Sequence, residues 1–311
     1  MAIAATPAAA IGGPCQQWEA PEKIGTLDRA LLPEASGVAV TPAHSGRLYF
    51  NNDSGDGPYF YVSDVHGGSI QRVAVIGFVP QDVEDIAVGP CAGATTCLYL
   101  GDIGDNALRR ATVEFVQIAE RDTYPDELTP LRTVAARYPD GAHNAEGFAI
   151  HPDGDLYVMT KESDPTTKAS GPARLYRLTA QQLAADAGEV QTFEYVTSLD
   201  LPRYIALELP RFVRDLYDNQ VATALDISAD GSHTMVLTYR QAFEWNHDLA
   251  QPVDPARPLE QGRDFTVTPI EPLPQAEAVA YLSGSDAIVY TSETAATGAD
   301  AALYRQACAL R

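Results

Sequence analysis

Five short segments of this chain share one apolar core, and their recurrence leaves few folds open. They read EASGVAV (34–40), DVEDIAV (82–88), NAEGFAI (144–150), VATALDI (221–227) and QAEAVAY (275–281). Each is followed by a turn and a second strand-like run: GRLYF, CLYLG, DLYVMT, HTMVLTY and DAIVYTS. A polar loop and a third run come next, as in PYFYVSDV, TVEFVQIA, ARLYRLT, AFEWN and ALYRQA. Fourth strands are read at QRVAVIG, LRTVAARY, FEYVTSLDL and DFTVTPIEP. Units of about 50–75 residues accommodate a four-stranded blade plus insertions.

The last unit has three strands and lacks a fourth, while QQWEAPEKIGTLD near the N-terminus is a strand candidate with no unit of its own. Lending that strand to the last unit closes the ring and removes an open edge. The expected fold is therefore an all-β, five-bladed β-propeller closed by an N-terminal strand. Residues 1–13 form a flexible segment and residues 14–311 a single domain. A six-bladed ring is the alternative, because 241–270 is loosely patterned. Small residues recur in the first strands (Gly37, Ala39, Ala87, Gly147, Ala149, Ala278, Ala280), as crowding near a propeller axis demands. Runs that lack polar alternation imply strands buried on both faces. Helical interruptions are expected at 179–188, which has a Thr start and a Gly stop, and around Pro210 in 204–219.

The 311 residues carry a formal net charge of −21. Phosphate-backbone binding to nucleic acid is excluded on electrostatic grounds, and an acidic membrane surface is an equally poor partner. No apolar stretch is long enough to span a bilayer. The four cysteines form no CxxC pair, which argues against zinc and thioredoxin-like chemistry. Cys91 and Cys97 flank a short loop that suits a local disulfide, and ring closure would bring Cys15 beside Cys308. Two such bridges imply an oxidising compartment, hence a secreted or periplasmic protein.

Aligning the five cores places Ser36, Glu84, Glu146, Thr223 and Glu277 at one equivalent position, where they would ring the axis at one end. The loops between second and third strands open on that same end. They bring Asn52 and Asp53, Asp102 and Asp105, Lys161 and Glu162, Tyr239 and Arg240, and Ser292 and Glu293. The turn GDIGDN (101–106) is thus part of the wall around an acidic hub. Three carboxylates about 5 Å apart at an effective dielectric near 20 repel by about 10 kcal/mol in all, so protons or a cation must relieve them. Oxygen donors of this kind favour Ca2+ over zinc or copper. DGD (153–155) and SADGS (228–232) lie between first and second strands and are read as ordinary hairpin turns.

VEDIAVGP, LYLGDIGDN, RYPDGAHNAEGFAIHPDGDLYVMTKES, DISADGSHTMVLTYRQAFEWN and QAEAVAYL resemble segments of a bacterial family of secreted propeller-like proteins, a resemblance that brings no activity with it. The order Ser, Glu, Glu, Thr, Glu around the axis is more distantly similar to the calcium-dependent nucleotidase (soluble apyrase) family. Those are five-bladed propellers with an axial calcium that hydrolyse nucleoside di- and triphosphates. The resemblance implies that Ser36, Glu84, Glu146, Thr223 and Glu277 are calcium ligands, with Thr223 standing where that family has Ser.

The expected function is a calcium-centred hydrolase of a small anionic substrate, a phosphoanhydride or phosphoester, bound in the axial pocket of a monomer. Calcium would polarise a phosphoryl or carbonyl oxygen. Asp53, Asp102 or Glu162 would orient or deprotonate water, and His143 and Tyr239 are further acid–base candidates. Lys161 and Arg240 would hold the anion, with Arg109, Arg110, Lys168, Arg211 and Arg214 on the same face. No GxSxG elbow, Walker loop or HExxH helix points to another chemistry. The alternatives are a calcium-stabilised propeller that binds without turnover, and a metal-assisted lactonase, lyase or cyclase.

Overall fold

A computed structural model describes residues 13–44, 46–164, 166–167, 169–186, 188–205, 220–282 and 286–311. Within them the chain forms five antiparallel sheets, one per repeat. Blade one runs Ala35–Val40, Arg47–Asn52, Tyr59–Asp64 and Gln71–Val75 from the inside out. Blade two runs Val83–Cys91, Ala94–Asp102, Val113–Ala119 and Arg132–Arg137, and blade three Ala145–Ile150, Leu156–Thr160, Ala173–Leu178 and Glu194–Leu199. Blade four runs Ala224–Ile227, Thr234–Leu237, Gln241–Trp245 and Phe265–Pro269. Blade five has Gln275–Tyr281, Ala287–Glu293 and Ala301–Leu310, and its outer edge is supplied by Gln17–Trp18 and Glu22–Leu27.

The protein is therefore a five-bladed β-propeller partly closed by an N-terminal edge strand. The six-bladed alternative falls, because Gln241–Trp245 and Phe265–Pro269 pair directly and the loosely patterned residues between them are one long loop. The closure places Cys15 and Cys308 in a disulfide, and Cys91 is bonded to Cys97. Two outer edges carry a short parallel strand from the following blade: Glu127–Leu128 on blade one and Val190–Thr192 on blade two. These extra strands cover edges that would otherwise present unpaired backbone groups.

Five clusters of buried apolar residues fill the five interfaces between neighbouring blades. Within one strand, Leu48 and Phe50 pack toward blade five while Tyr49 packs toward blade two. Side chains alternate between two buried faces, which is why these strands read as continuous apolar runs. The crowding expected near the axis is literal. A β-carbon on Gly147 would strike the backbone of Ala224 and Leu225 in blade four, and one on Gly37 would strike the Ile86 amide and the Asn51 and Asp85 side chains.

The helix expected at 179–188 is one turn, Ala180–Leu183, capped by Thr179 in a reciprocal capping box with Gln182. Leu201–Ile205 is a second short helix. Positions 206–219, with Arg211 and Arg214, lie outside the described residues, as do Lys168 and 1–12. Both DG sequences are turns: Gly154 and Gly231 take positive φ, and Asp230 accepts from Ser228 and Ser232. Among the described residues no helix is long and apolar enough to cross a membrane.

Candidate metal centre

Every blade kinks its innermost strand at the same place. In blades one, two, three and five, pairing with the second strand skips one residue, between Ala35 and Gly37, Val83 and Asp85, Ala145 and Gly147, and Ala276 and Ala278. The skipped residues are Ser36, Glu84, Glu146 and Glu277. In blade four the Thr223 amide bonds the carbonyl of Leu237, the residue that Ala224 also faces. A bulge of this kind sets two residues against one and re-aims a side chain. All five re-aimed residues are buried, between 0 and 4% exposed.

The carboxylates that converge most tightly are not the three bulge glutamates. One oxygen each of Asp53, Asp82 and Glu84 lie within 4.8 Å of one another. Asp53 comes from the loop after the second strand of blade one and accepts the Ser54 amide. Asp82 and Glu84 come from blade two, two residues apart. Gly104 sits against the pair, in a place where a β-carbon would collide with Glu84 Oε1 and Asp82 Oδ2. Ser36 Oγ, at the bulge of blade one, is buried with no hydrogen-bond partner. Thr223 by contrast spends its hydroxyl on the Ala276 carbonyl at 2.7 Å.

The other two glutamates have partners. Lys161 Nζ lies 2.8 Å from Glu146 Oε1 and 5.3 Å from the centre of the Tyr239 ring. Asn144 Nδ2 donates to the same Glu146 oxygen at 3.1 Å. Tyr239 Oη donates to Glu277 Oε1 at 3.3 Å, and Gln275 Nε2 donates both to that oxygen at 3.3 Å and to Glu293 at 2.8 Å. The hub therefore joins six acidic groups and one ammonium.

Electrostatics follow from that count. Burial, then Asp53 and Glu146, push Asp82 up to about 6. Burial, then Glu146, Asp53 and Asp82, raise Glu84 well above the carboxylate range. Glu277 and Glu293 are both raised, chiefly by burial, the first also by Glu146 and the second by Glu277. Burial works against the Lys161 ammonium, but Glu146 and Tyr239 hold it above the ordinary lysine value. Without a cation the hub keeps protons that free carboxylic acids would have lost. The donors are all oxygen, several are anionic, and one buried hydroxyl is unpaired; this set fits a hard divalent ion.

The structure distributes the remaining expected site residues around this hub. Asp102 is fully buried and lies outside the carboxylate group. It bonds Arg110 Nη1 at 2.6 Å and accepts the Gln81 and Asp82 amides at 2.9 and 3.0 Å. It thereby fixes the backbone that presents Asp82. Asp105 accepts the amides of Arg109 and Arg110, each at 2.7 Å, and its own amide donates to Asn144. Within the GDIGDN turn, Gly104 lies against the carboxylates of the cluster, and Asp102 holds the backbone behind Asp82. Glu162 and His143 form a separate network: His143 bonds Glu162 at 3.2 Å and Asp140 at 3.1 Å, and Asp140 also takes Arg174 and Tyr176. Arg240 is exposed, with Nη1 3.1 Å from the Leu273 carbonyl.

Asp82 stands outside the aligned bulge positions, yet the sequence carries a signal for it. In QDVED the strand period of two puts Asp82 and Glu84 on one side before the bulge begins. Glu293, at the end of the second strand of blade five, joins the hub through Gln275.

No family model matches this chain, and no curated protein sequence matches it, so neither resemblance drawn from its motifs gains a family assignment. Solved structures do show similarity. A luciferin-regenerating enzyme aligns with TM-score 0.47 and 14% identity over 92% of this chain and 94% of that one. The hydrazine synthase of Kuenenia stuttgartiensis aligns at 0.40 and 15% over 84% of this chain and 56% of that one. A nidogen/laminin complex aligns at 0.41 and 15% over 83% and 72%.

Proposed function

We propose that this propeller is a metal-dependent hydrolase acting at its axial face. The observation that carries the reading is the convergence of Asp53, Asp82 and Glu84, with the buried and unpaired hydroxyl of Ser36 at the equivalent bulge of blade one. These four residues would hold the ion, and Glu146 and Glu277 complete the acidic surround. Calcium is the ion that an all-oxygen set of this charge selects. When bound it supplies Lewis-acid polarisation of a substrate oxygen.

The chain's own groups divide the remaining work. Glu277 and Glu293, joined through Gln275 and both raised, hold a proton near neutrality and supply the acid–base pair. Tyr239 bonds Glu277 and stacks under Lys161, fixing both. A phosphoanhydride or phosphoester is the substrate class on this reading. Support comes from Arg110, whose Nη1 is spent on Asp102 and the Gly104 carbonyl while buried Nε and Nη2 have no partner. These are donors that an anionic oxygen or its bridging water would satisfy.

A second reading has its own observation. Among the described residues, Lys161 is committed to Glu146 and Arg110 Nη1 to Asp102, so both of these cations are already countered by a carboxylate. That favours a neutral carbonyl substrate such as a lactone, or ligand binding without turnover. Calorimetric titration of chelator-treated protein with calcium tests the metal. A panel of nucleotides, phosphomonoesters and lactones, assayed with calcium and with chelator, tests the chemistry. Calcium-dependent phosphate release lost in Glu84→Gln supports the first reading; lactone opening or no turnover supports the second; absence of calcium binding removes both.

A further inference from the structure

The opposite end of the propeller axis carries a cavity of different character. It measures about 310 Å³ and draws lining residues from all five blades, among them Val40, Val88, Ile150, Ile227 and Leu282. These stand at the far ends of the innermost strands, a strand length from the bulges that build the acidic hub. Most of the side chains that line it are apolar, backbone groups and hydroxyls supply polar surface between them, and among the described residues one charged side chain lines it, Asp226.

Asp226 has a structural duty, with the amides of Tyr281 and Ile227 both donating to its carboxylate. Its Oδ2 accepts the Tyr281 amide at 2.6 Å, stapling blade four to blade five. Asp85 makes the same kind of staple from blade two to blade three through the Phe148 amide at 3.0 Å, and it is 2% exposed. A staple alone calls for an enclosed carboxylate like Asp85. Asp226 instead is intermediate in exposure and lines the cavity, and among the described residues no basic side chain lines the wall with it.

We infer that this cavity is a second binding site, for a small organic amine whose ammonium pairs with Asp226 and whose apolar body fills the space between the five strand ends. A carboxylate in an apolar, partly desolvated wall attracts a cation more strongly than one in water. The volume lies at the small end of ligand sites, which limits the body to a single ring or a short alkyl group. Burial pushes Asp226 up to about 7, the signature of a carboxylate without a cationic partner. Calcium does not suit the site, which offers one carboxylate where that ion takes six to eight oxygens.

The test is calorimetric titration of the intact protein with benzylamine, with benzyl alcohol and benzoate as neutral and anionic isosteres. Saturable benzylamine binding at least about tenfold tighter than benzyl alcohol is expected, with benzoate weakest. In Asp226→Asn the preference for amine over alcohol disappears while calcium binding at the hub persists. Equal affinity for amine and alcohol in the unsubstituted protein, or no saturable binding of either at millimolar concentration, overturns the inference without touching the metal centre.

Discussion

Replacing a proposed metal ligand normally destabilises a protein, but here Asp53→Asn should stabilise it when no metal is present. Three carboxylate oxygens within 4.8 Å repel by about 3.5 kcal/mol per pair at an effective dielectric near 20, or about 10 kcal/mol together. Asparagine at 53 removes two of the three pairs, an upper limit of about 7 kcal/mol. Proton uptake limits what is actually felt. Asp82 rises from 3.8 to about 6, which corresponds to about 3 kcal/mol in all; burial is the first cause and Asp53 the second, and solvent screens the half-buried group, so the share that Asp53→Asn recovers is about 1 kcal/mol. For a domain of this size, 1 kcal/mol moves Tm by about 2 °C, so the variant should melt about 2 °C higher in chelator at pH 7.5. Calcium reverses the order: at a hundredfold excess over Kd it adds about 2.7 kcal/mol to the unsubstituted protein, and the variant should gain far less. Differential scanning fluorimetry with chelator and with calcium reads both effects. A lower Tm for Asp53→Asn in chelator, together with an undiminished calcium shift, would refute the electrostatic account of the hub.

Four further outcomes follow from the same structure. In chelator the unsubstituted protein should gain stability as pH falls from 7 toward 5, because a carboxyl raised to about 6 takes up its proton in the folded state first; urea titrations across that window check the sign. Gly104→Ala should fold yet bind calcium more weakly, since the new methyl displaces the Glu84 and Asp82 oxygens; calorimetry against the unsubstituted protein measures the loss. His143 is raised by Glu162 and Asp140 against the opposing effect of burial. Its contribution is present in full below the ordinary histidine value and disappears as pH rises through the folded one, so His143→Gln should cost more stability at pH 5.5 than at pH 9 in paired melts. Replacing Cys15 and Cys308, 293 residues apart, by serine should cost about 6 kcal/mol by loop entropy, against about 2 kcal/mol for the Cys91–Cys97 pair. Denaturant midpoints of the two double variants rank them.

The sequence alone favoured five blades over six, laid out the order of strands and pointed to the pairing of the four cysteines that the structure shows. It could do so because a strand buried on both faces writes itself as a short apolar run, and five such runs led by similar residues favour a ring of five, while the pairing of Gln241–Trp245 with Phe265–Pro269 had to come from the structure. It also identified Ser36, Glu84, Glu146, Thr223 and Glu277 as equivalent, and the structure places all five at the kink of their strands. What the sequence left open is which acids meet. Alignment ranks Glu84, Glu146 and Glu277 alike, yet Lys161 draws Glu146 into an ion pair and Gln275 ties Glu277 to Glu293. Asp53 and Asp82 join Glu84 instead, across the boundary between two blades. A register slip of one residue at each bulge decides where these side chains point, and such a slip depends on how neighbouring blades pack, not on any local preference of the chain. The cavity at the far end has the same origin: its five walls are ordinary strand ends, and only closure of the ring brings them around Asp226.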